Sequence, residues 1–226
     1  MFTHLHCHSH YSLLDGLSKI PDLVETAKND GQTSIAITDH GVMYGAIEFY
    51  NQCNNAGIKP IIGMEAYIAP RSMADKEGKS DADYFHMTLL AENYTGYLNL
   101  MKLTTIAHVE GFYYKPRLDL TALKEHSNGI IALSGCPRGH IPRAITESKD
   151  DKIIEQTVQT MLDIFGPNNF FLELQRNAND GQELQPNDEL VALGKKHGIP
   201  IVATQDCHYI HKDDAEAQDI MFCIGT

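Results

Sequence analysis

Seven short apolar or alternating runs recur along the 226 residues: 2–7 (FTHLHC), 33–38 (TSIAIT), 61–69 (IIGMEAYIA), 85–91 (FHMTLLA), 129–134 (GIIALS), 169–175 (NFFLELQ) and 199–204 (IPIVAT). Helical patterns fill the gaps between most of them. IPDLVETAKNDG has Pro in its first turn and Gly at its end, the usual helix asymmetry. DKIIEQTVQTMLDIFG places Ile153, Ile154, Val158, Met161, Leu162 and Phe165 on one face. Strands alternating with helices imply parallel pairing through right-handed crossovers. The expected fold is therefore α/β: a closed or nearly closed seven-stranded (β/α) barrel, with an open doubly wound sheet as the alternative. A chain of 226 residues, 42% hydrophobic, suits one domain over 1–226. PRSMADKEGKSDAD (70–83) reads as a mobile surface loop, and GFYYKPRLD (111–119) as a loop leading to a short helix. Tyr113, Tyr114, Lys115 and Arg117 in the latter offer stacking and charge to single-stranded nucleic acid, or pack on a neighbouring domain.

Composition narrows the function classes. No apolar run approaches the ~18 residues that span a bilayer, and no basic-then-apolar leader opens the chain. A cytoplasmic protein without a membrane partner is expected. Cysteines 7, 53, 136, 207 and 223 nowhere form C-x-x-C and read as reduced thiols. The formal charge of −12 argues against a general nucleic-acid surface, although three bound divalent ions would return about +6 at one spot. Any DNA-holding surface is expected mostly elsewhere. The apolar ending IMFCIGT reads as a cut through a longer protein.

The ends of the runs carry the chemistry. In THLHCHSHYSLLDG, His4, His6, His8 and His10 alternate with period two and would share one face of an extended segment. They could grip metal, be solvated, or belong to a purification tag. His6 and His8 end the first run, Asp39 and His40 follow the second, Glu65 lies within the third, Cys136 follows the fifth, and Asp206 and His208 follow the seventh. The C-terminal ends of barrel strands build the active site, and His, Asp, Glu and Cys are the common ligands of zinc, iron and manganese. Alternation turns Cys7 away from His6 and His8, and Cys207 away from Asp206 and His208, as core residues or supports behind the site. His86 starts its run rather than ending it, so spacing alone leaves it an awkward, open candidate. TDHG alone reads equally well as a helix N-cap. Arg138, two residues past Cys136, is either a phosphate clamp or a surface arginine.

HLHCHSHYSLLDG, AITDHG, GIKPIIGMEAY, ALSGC and ATQDCHY together resemble the PHP (polymerase and histidinol phosphatase) domain family. YSLLDGLSKIPDLVETAKNDG, GAIEFYNQCNNAGIKPIIG and GFYYKPRLD resemble the branch found at the N-terminus of bacterial replicative DNA polymerases. The resemblance implies a distorted seven-stranded barrel with up to three divalent ions, Zn, Mn or Fe. His6, His8, Glu65 and Asp206 would hold the first ion. Glu65, His86 and Cys136 would hold the second, and Asp15, His40 and His208 the third. It implies metal-dependent phosphodiester hydrolysis as a 3′→5′ proofreading exonuclease, with His8, Glu65, Asp206, Arg138 and His10 at the reaction. His10 would line the cleft or orient a phosphate, while His4 stays in the core or behind the site. The implied partners are DNA with a 3′ end, polymerase domains of the same chain and other replisome subunits; this stretch lacks the region that polymerises. A small-molecule phosphatase of the histidinol phosphatase type, or a metal-stabilised domain without catalysis, are the alternatives.

Overall fold

The structure, a computed structural model, describes residues 2–176, 178–179, 182–183 and 185–225. Thr226, where the sequence suggested a cut, lies outside the described residues. The elements run α1 (Ile20–Asn29), β1 (Ser34–Ile37), α2 (Ala46–Ala56), β2 (Lys59–Ile68), α3 (Gly78–Ala82), β3 (Phe85–Ala91), α4 (Tyr94–Val109), β4 (Phe112–Tyr113), β5 (Lys115–Leu118), α5 (Leu120–Glu125), β6 (Ile130–Leu133) and α6 (His140–Arg143). There follow a π turn (Ala144–Ser148), α7 (Asp151–Phe165), β7 (Phe170–Gln175), the short pair β8 (Ala178–Asn179) and β9 (Gln182–Glu183), α8 (Asn187–His197), β10 (Ile201–Thr204), a 3-10 turn (Lys212–Asp214) and α9 (Ala215–Gly225).

Pairing follows the order β1–β2–β3–β6–β7–β10, with β5 and β4 branching from the end of β2. Residues 4–8 close the ring, as a seam rather than the regular strand expected over 2–7. The Ala36 and Thr38 amides donate to the His4 and Cys7 carbonyls on one side. On the other, the His8 amide donates to the Cys207 carbonyl and the Cys207 amide to that of His6. An apolar plug draws on every stave, from Leu5, Ala36, Ile61, Leu90, Leu133, Phe171 and Val202. The barrel is thus a packed core, as in other α/β barrels. Outside it, α4, α5 and α7 cover one side through Leu100, Leu103, Leu123, Val158 and Met161. Helices α1 and α2 cover β1 through Ile20, Val24, Ile35 and Phe49.

One expectation of uniform parallel pairing fails. Strand β3 runs antiparallel to both β2 and β6. The connection from β2 to β3 carries only the five-residue α3, and an antiparallel neighbour needs no crossover helix. On α7, Thr157, Val158, Met161, Ile164 and Phe165 are buried, whereas Ile153 is 46% exposed; the face is rotated from the one read in the sequence.

The loop expectations also change. Residues 112–118 form the β4–β5 hairpin, turned at Tyr114 with φ +59°. Arg117 is 0% exposed. Its guanidinium donates to the carbonyls of Gly111 (3.2 Å), Met73 (3.1 Å) and Asp75 (3.0 Å), and to that of Asp81. The buried Asp81 carboxylate takes two bonds from the Arg71 Nη2, at 2.7 and 2.9 Å. Segment 70–83 is therefore pinned to the barrel, and Arg117 is a structural tie, not a nucleic-acid contact.

Candidate metal centre

The polar residues converge above the plug, at one end of the barrel. Register explains how residues from the middle or start of a strand arrive there. β1 stops at the pair Ile37–Ile62, so Glu65 already projects beyond it, bridged to His40. Because β3 is reversed, its first residues lie at the end where its neighbours finish, and His86 pairs with Tyr67. Gly135 (φ +83°) lets the chain after β6 turn close to His86; a Cβ there would lie 2.7 Å from the His86 carbonyl oxygen.

Glu65 is the hub. Its Oε1 lies 2.9 Å from His86 Nδ1 and 3.3 Å from His6 Nε2, and its Oε2 lies 2.7 Å from His40 Nδ1 and 3.5 Å from His8 Nε2. Asp206 Oδ1 stands 3.3 Å from His6 Nε2 and 3.2 Å from His8 Nε2. Asp15 Oδ2 lies 2.6 Å from His40 Nε2 and 3.2 Å from His208 Nε2. Cys136 Sγ is 3.5 Å from His86 Nδ1. The structure thus brings together all nine residues given as ligands by the family resemblance. Asp206 adopts φ +52°, a left-handed conformation that is uncommon for a residue with a side chain and found at functional sites.

Electrostatics and hydrogen bonding both fit a cation. Burial opposes ionisation of Asp15, Glu65 and Asp206, yet the imidazoles around them hold all three carboxyls below the usual range. Burial likewise opposes charge on His6, but Asp206, Glu173 and Glu65 raise it. His40 is raised to about 9 against burial, by Glu65 and Asp15. His8 is pushed down to about 3 by burial and by His40 and His208. His6 Nε2, His8 Nε2, His40 Nδ1, His86 Nε2, Glu65 Oε2 and Asp206 Oδ1 are buried without a hydrogen bond of acceptable geometry. An orphaned buried polar atom costs ~1–3 kcal/mol. Six such atoms in one cluster fit binding of cations there.

Residues behind the cluster hold its side chains in orientation. Glu173 Oε1 lies 2.7 Å from His6 Nδ1 and accepts from Thr204 Oγ1 at 2.6 Å, while Oε2 accepts from the Gly135 amide at 3.1 Å. His8 Nδ1 lies 2.8 Å from Ser12 Oγ, which donates to Asp39 Oδ1 at 2.8 Å. Asp39 thus supports His8 from behind and stands outside the ligand cluster. The sequence reading missed Glu173 and Ser12. The available signal for Glu173 was an acid in the middle of the apolar run FFLELQ.

The expectation that four histidines share a face holds only for His6 and His8, because the seam bends instead of running as a regular strand. His4 turns to Cys207, its Nδ1 3.4 Å from the Sγ. His10 falls in the turn after the seam, exposed, with its ring 4.2 Å from Tyr11; it does not join the cluster or line the cleft.

The centre opens into a cleft of 700 Å³ bordered by Asp15, His40, Glu65, His86, Cys136, Arg138, Asp206 and His208, with Gln218 and Phe222 of α9 on its rim. A neighbouring 500 Å³ cavity shares Asp15, His40, His86 and Arg138 and adds Tyr11, Tyr44, Tyr67, Tyr84 and Lys115. The Arg138 guanidinium lies 4.9 Å from the centre of the Tyr84 ring, placing a cation where both spaces meet.

Residues 4–177 match the family described as the PHP domain. Over its whole length the chain is 46% identical to DNA polymerase III subunit alpha of Borreliella burgdorferi and spans 19% of that protein. It is 44% identical to DNA polymerase III subunit alpha of Thermus aquaticus, spanning 18% of it. The chain thus covers about a fifth of the length of these curated relatives. Among solved structures, a protein from Bifidobacterium adolescentis assigned as a metal-dependent phosphoesterase aligns with TM-score 0.56 and 14% identity, over 99% of this chain and 98% of its own. An amidohydrolase from Chromobacterium violaceum, solved with bound sulfate and no metal, aligns with TM-score 0.59 and 12% identity, over 97% and 96%. These two show the fold, a distorted seven-stranded barrel. No described helix is long and apolar enough to cross a membrane. On the match over residues 4–177, the chain belongs to the PHP domain family.

Proposed function

We propose that the chain is the phosphoesterase domain of a bacterial DNA polymerase III alpha subunit, and that it hydrolyses the 3′-terminal phosphodiester of DNA as a 3′→5′ proofreading exonuclease. The observation that carries this reading is the convergence of Asp15, His40, Glu65, His86, Cys136, Asp206 and His208 in an open cleft, with His6 and His8 buried against Glu65 and Asp206, and with six atoms of the cluster buried without a hydrogen bond of acceptable geometry. His6, His8, Glu65 and Asp206 would hold one ion, Glu65, His86 and Cys136 a second, and Asp15, His40 and His208 a third. The imidazole and carboxylate donors admit Zn, Mn or Fe, and the Cys136 thiolate favours zinc. Bound ions supply Lewis acidity toward phosphate and lower the pKa of water.

The chain's own residues do the rest. Glu173 and Ser12 fix the ring orientations of His6 and His8. Arg138, held over Tyr84 on the cleft wall, would meet a phosphate bound there. The tyrosine-lined cavity beside it suits a terminal base, by stacking. With a net charge of −12, the grip on the DNA backbone falls to the polymerase domains that make up most of the relatives' length, with other replisome subunits as further partners.

The test loads the chain with zinc or manganese and compares an activated phosphodiester, 3′-ended DNA and a phosphomonoester. The expected result is diester turnover with slow DNA cleavage, faster in the full polymerase and abolished in both by Asp206→Asn. A preference for the monoester would point to a histidinol phosphatase-type enzyme. Full metal loading without turnover of any substrate would leave a structural domain.

A further inference from the structure

The seam that turns His6 and His8 into the centre turns two other donors to the outer side of the barrel wall. Cys7 is 1% exposed and packs among Ile20, Val24 and Ile35 beneath α1 and α2. Across the seam its paired residue is Cys207. The two thiols are free of any disulfide, and their sulfurs lie within 4.8 Å of each other. Cys207 Sγ also lies 3.4 Å from His4 Nδ1. One donor atom from each of His4, Cys7 and Cys207 falls within 4.8 Å of the other two.

We propose that His4, Cys7 and Cys207 bind a single zinc ion, separate from the centre in the cleft, that clips the barrel seam shut. The donor set is two thiols and one imidazole. At tetrahedral zinc, such sulfur and nitrogen atoms stand roughly 3.6–3.8 Å apart, so no pair of this cluster, all within 4.8 Å, needs to close by more than about 1.2 Å. His4 and Cys207 are both partly exposed, which gives the ion an entry path and leaves its fourth position to water. Binding displaces the two thiol protons to solvent, and the two thiolates balance the ion's charge. Softness separates the two sites. The cleft has eight nitrogen- or oxygen-bearing ligands and one thiol, whereas two of the three donors here are sulfur, the combination that selects zinc over manganese or iron. The position gives the clip a purpose. His6 and His8 flank Cys7, and Asp206 and His208 flank Cys207, so four ligands of the cleft ride on the two segments that the ion would tie together.

The test uses cobalt(II) as a spectroscopic stand-in for zinc on the reduced, metal-free chain. Cys136→Ser removes the thiol of the cleft. In that variant the expected result is a thiolate-to-cobalt charge-transfer band whose final intensity corresponds to one thiolate-bound ion per chain, whatever cobalt the cleft also takes up, and which zinc bleaches. Adding Cys207→Ser should abolish the band, and adding His4→Gln, at a partly exposed position, should weaken cobalt binding by at least the roughly tenfold that loss of a partner behind a ligand costs. Because the readout is the spectrum, it is independent of whether the cleft hydrolyses anything. No band in Cys136→Ser, or a band indifferent to both Cys207→Ser and His4→Gln, overturns the proposal. So does isolation of a Cys7–Cys207 disulfide, without zinc, from protein kept under reducing conditions.

Discussion

Glu173→Gln isolates the contribution of a residue that touches no substrate. For His6 Nε2 to face a cation, its Nδ1 must carry the proton and donate it, and the acceptor 2.7 Å away is Glu173 Oε1. That carboxylate also accepts from Thr204 at 2.6 Å, Gln175 at 3.1 Å, the Gly135 amide at 3.1 Å and Thr88 at 3.2 Å. Every neighbour is a donor or can act as one. Glutamine keeps the shape but replaces one oxygen with NH2. If the remaining oxygen faces His6, the new amino group meets the Gly135 amide; Thr88 can rotate its hydroxyl, but the amide cannot reverse. That conflict costs ~1–3 kcal/mol of stability. If the amide flips, the conflict moves to His6 and turns its ring away from the ions. Loss of such a carboxylate behind a metal-bound imidazole typically costs ~10–100-fold in metal affinity, or about 1.4–2.8 kcal/mol. Chelator competition with zinc measures the affinity, and thermal unfolding of the metal-free chain measures the stability. A folded Glu173→Gln variant that binds zinc within twofold of the wild type would refute the claim that this contact orients His6.

Four other outcomes are expected. Glu65→Gln, at the hub between four histidines, should lose the two ions that Glu65 would share, leaving at most one in the cleft by elemental analysis, and abolish diester hydrolysis. Burial notwithstanding, Glu65 and Asp15 keep a proton on His40 up to about pH 9. A cation must displace that proton, so affinity should rise with pH from neutrality to about 9, by roughly tenfold per unit; a flat titration would show His40 is not a ligand. Arg117→Met strands the carbonyls of Gly111, Met73, Asp75 and Asp81 and should lower stability by about 2–4 kcal/mol in urea unfolding, with metal content of the folded protein unchanged. Arg138→Ala should raise KM for a phosphodiester about tenfold while leaving metal loading intact, and an unchanged KM would remove it from phosphate binding.

The sequence showed most of the barrel because its staves are apolar and its helices are punctuated by Pro and Gly. It was least legible where a residue's role depends on strand direction or on a bend. His86 looked misplaced while all strands were taken as parallel, since nothing local in FHMTLLA distinguishes a reversed strand. The lack of a long helical pattern in the connection before it was a signal, and there the polarity of PRSMADKEGKSDAD suggested a loose loop. That same polarity concealed an internal tie, because the cation satisfying it, Arg117, lies more than thirty residues away. His10 shows the opposite error. Period-two alternation was extended past the point where the seam ends, and its ring came to rest on Tyr11 instead of in the cleft. Spacing reports faces only as far as the backbone stays regular.

The weakest stave of the barrel carries the strongest chemistry. Residues 4–8 form no regular strand, and four backbone hydrogen bonds, two on each side, hold them between β1 and the residues after β10. Yet this segment supplies His6 and His8, and the facing one supplies Asp206 and His208. His6 and His8 keep the two-residue interval of a strand face and both reach Glu65 and Asp206, while His8 also stacks 4.2 Å from His208. The result is a seam with little intrinsic stability, lined by three carboxylates that depend on imidazole partners for their charge balance. Ions binding only to the closed barrel would stabilise it by RT ln(1 + [L]/Kd), about 2.7 kcal/mol at a hundredfold excess over Kd. On this account the metal both enables the chemistry and completes the fold, and the residues that bind it sit where the barrel most needs closing.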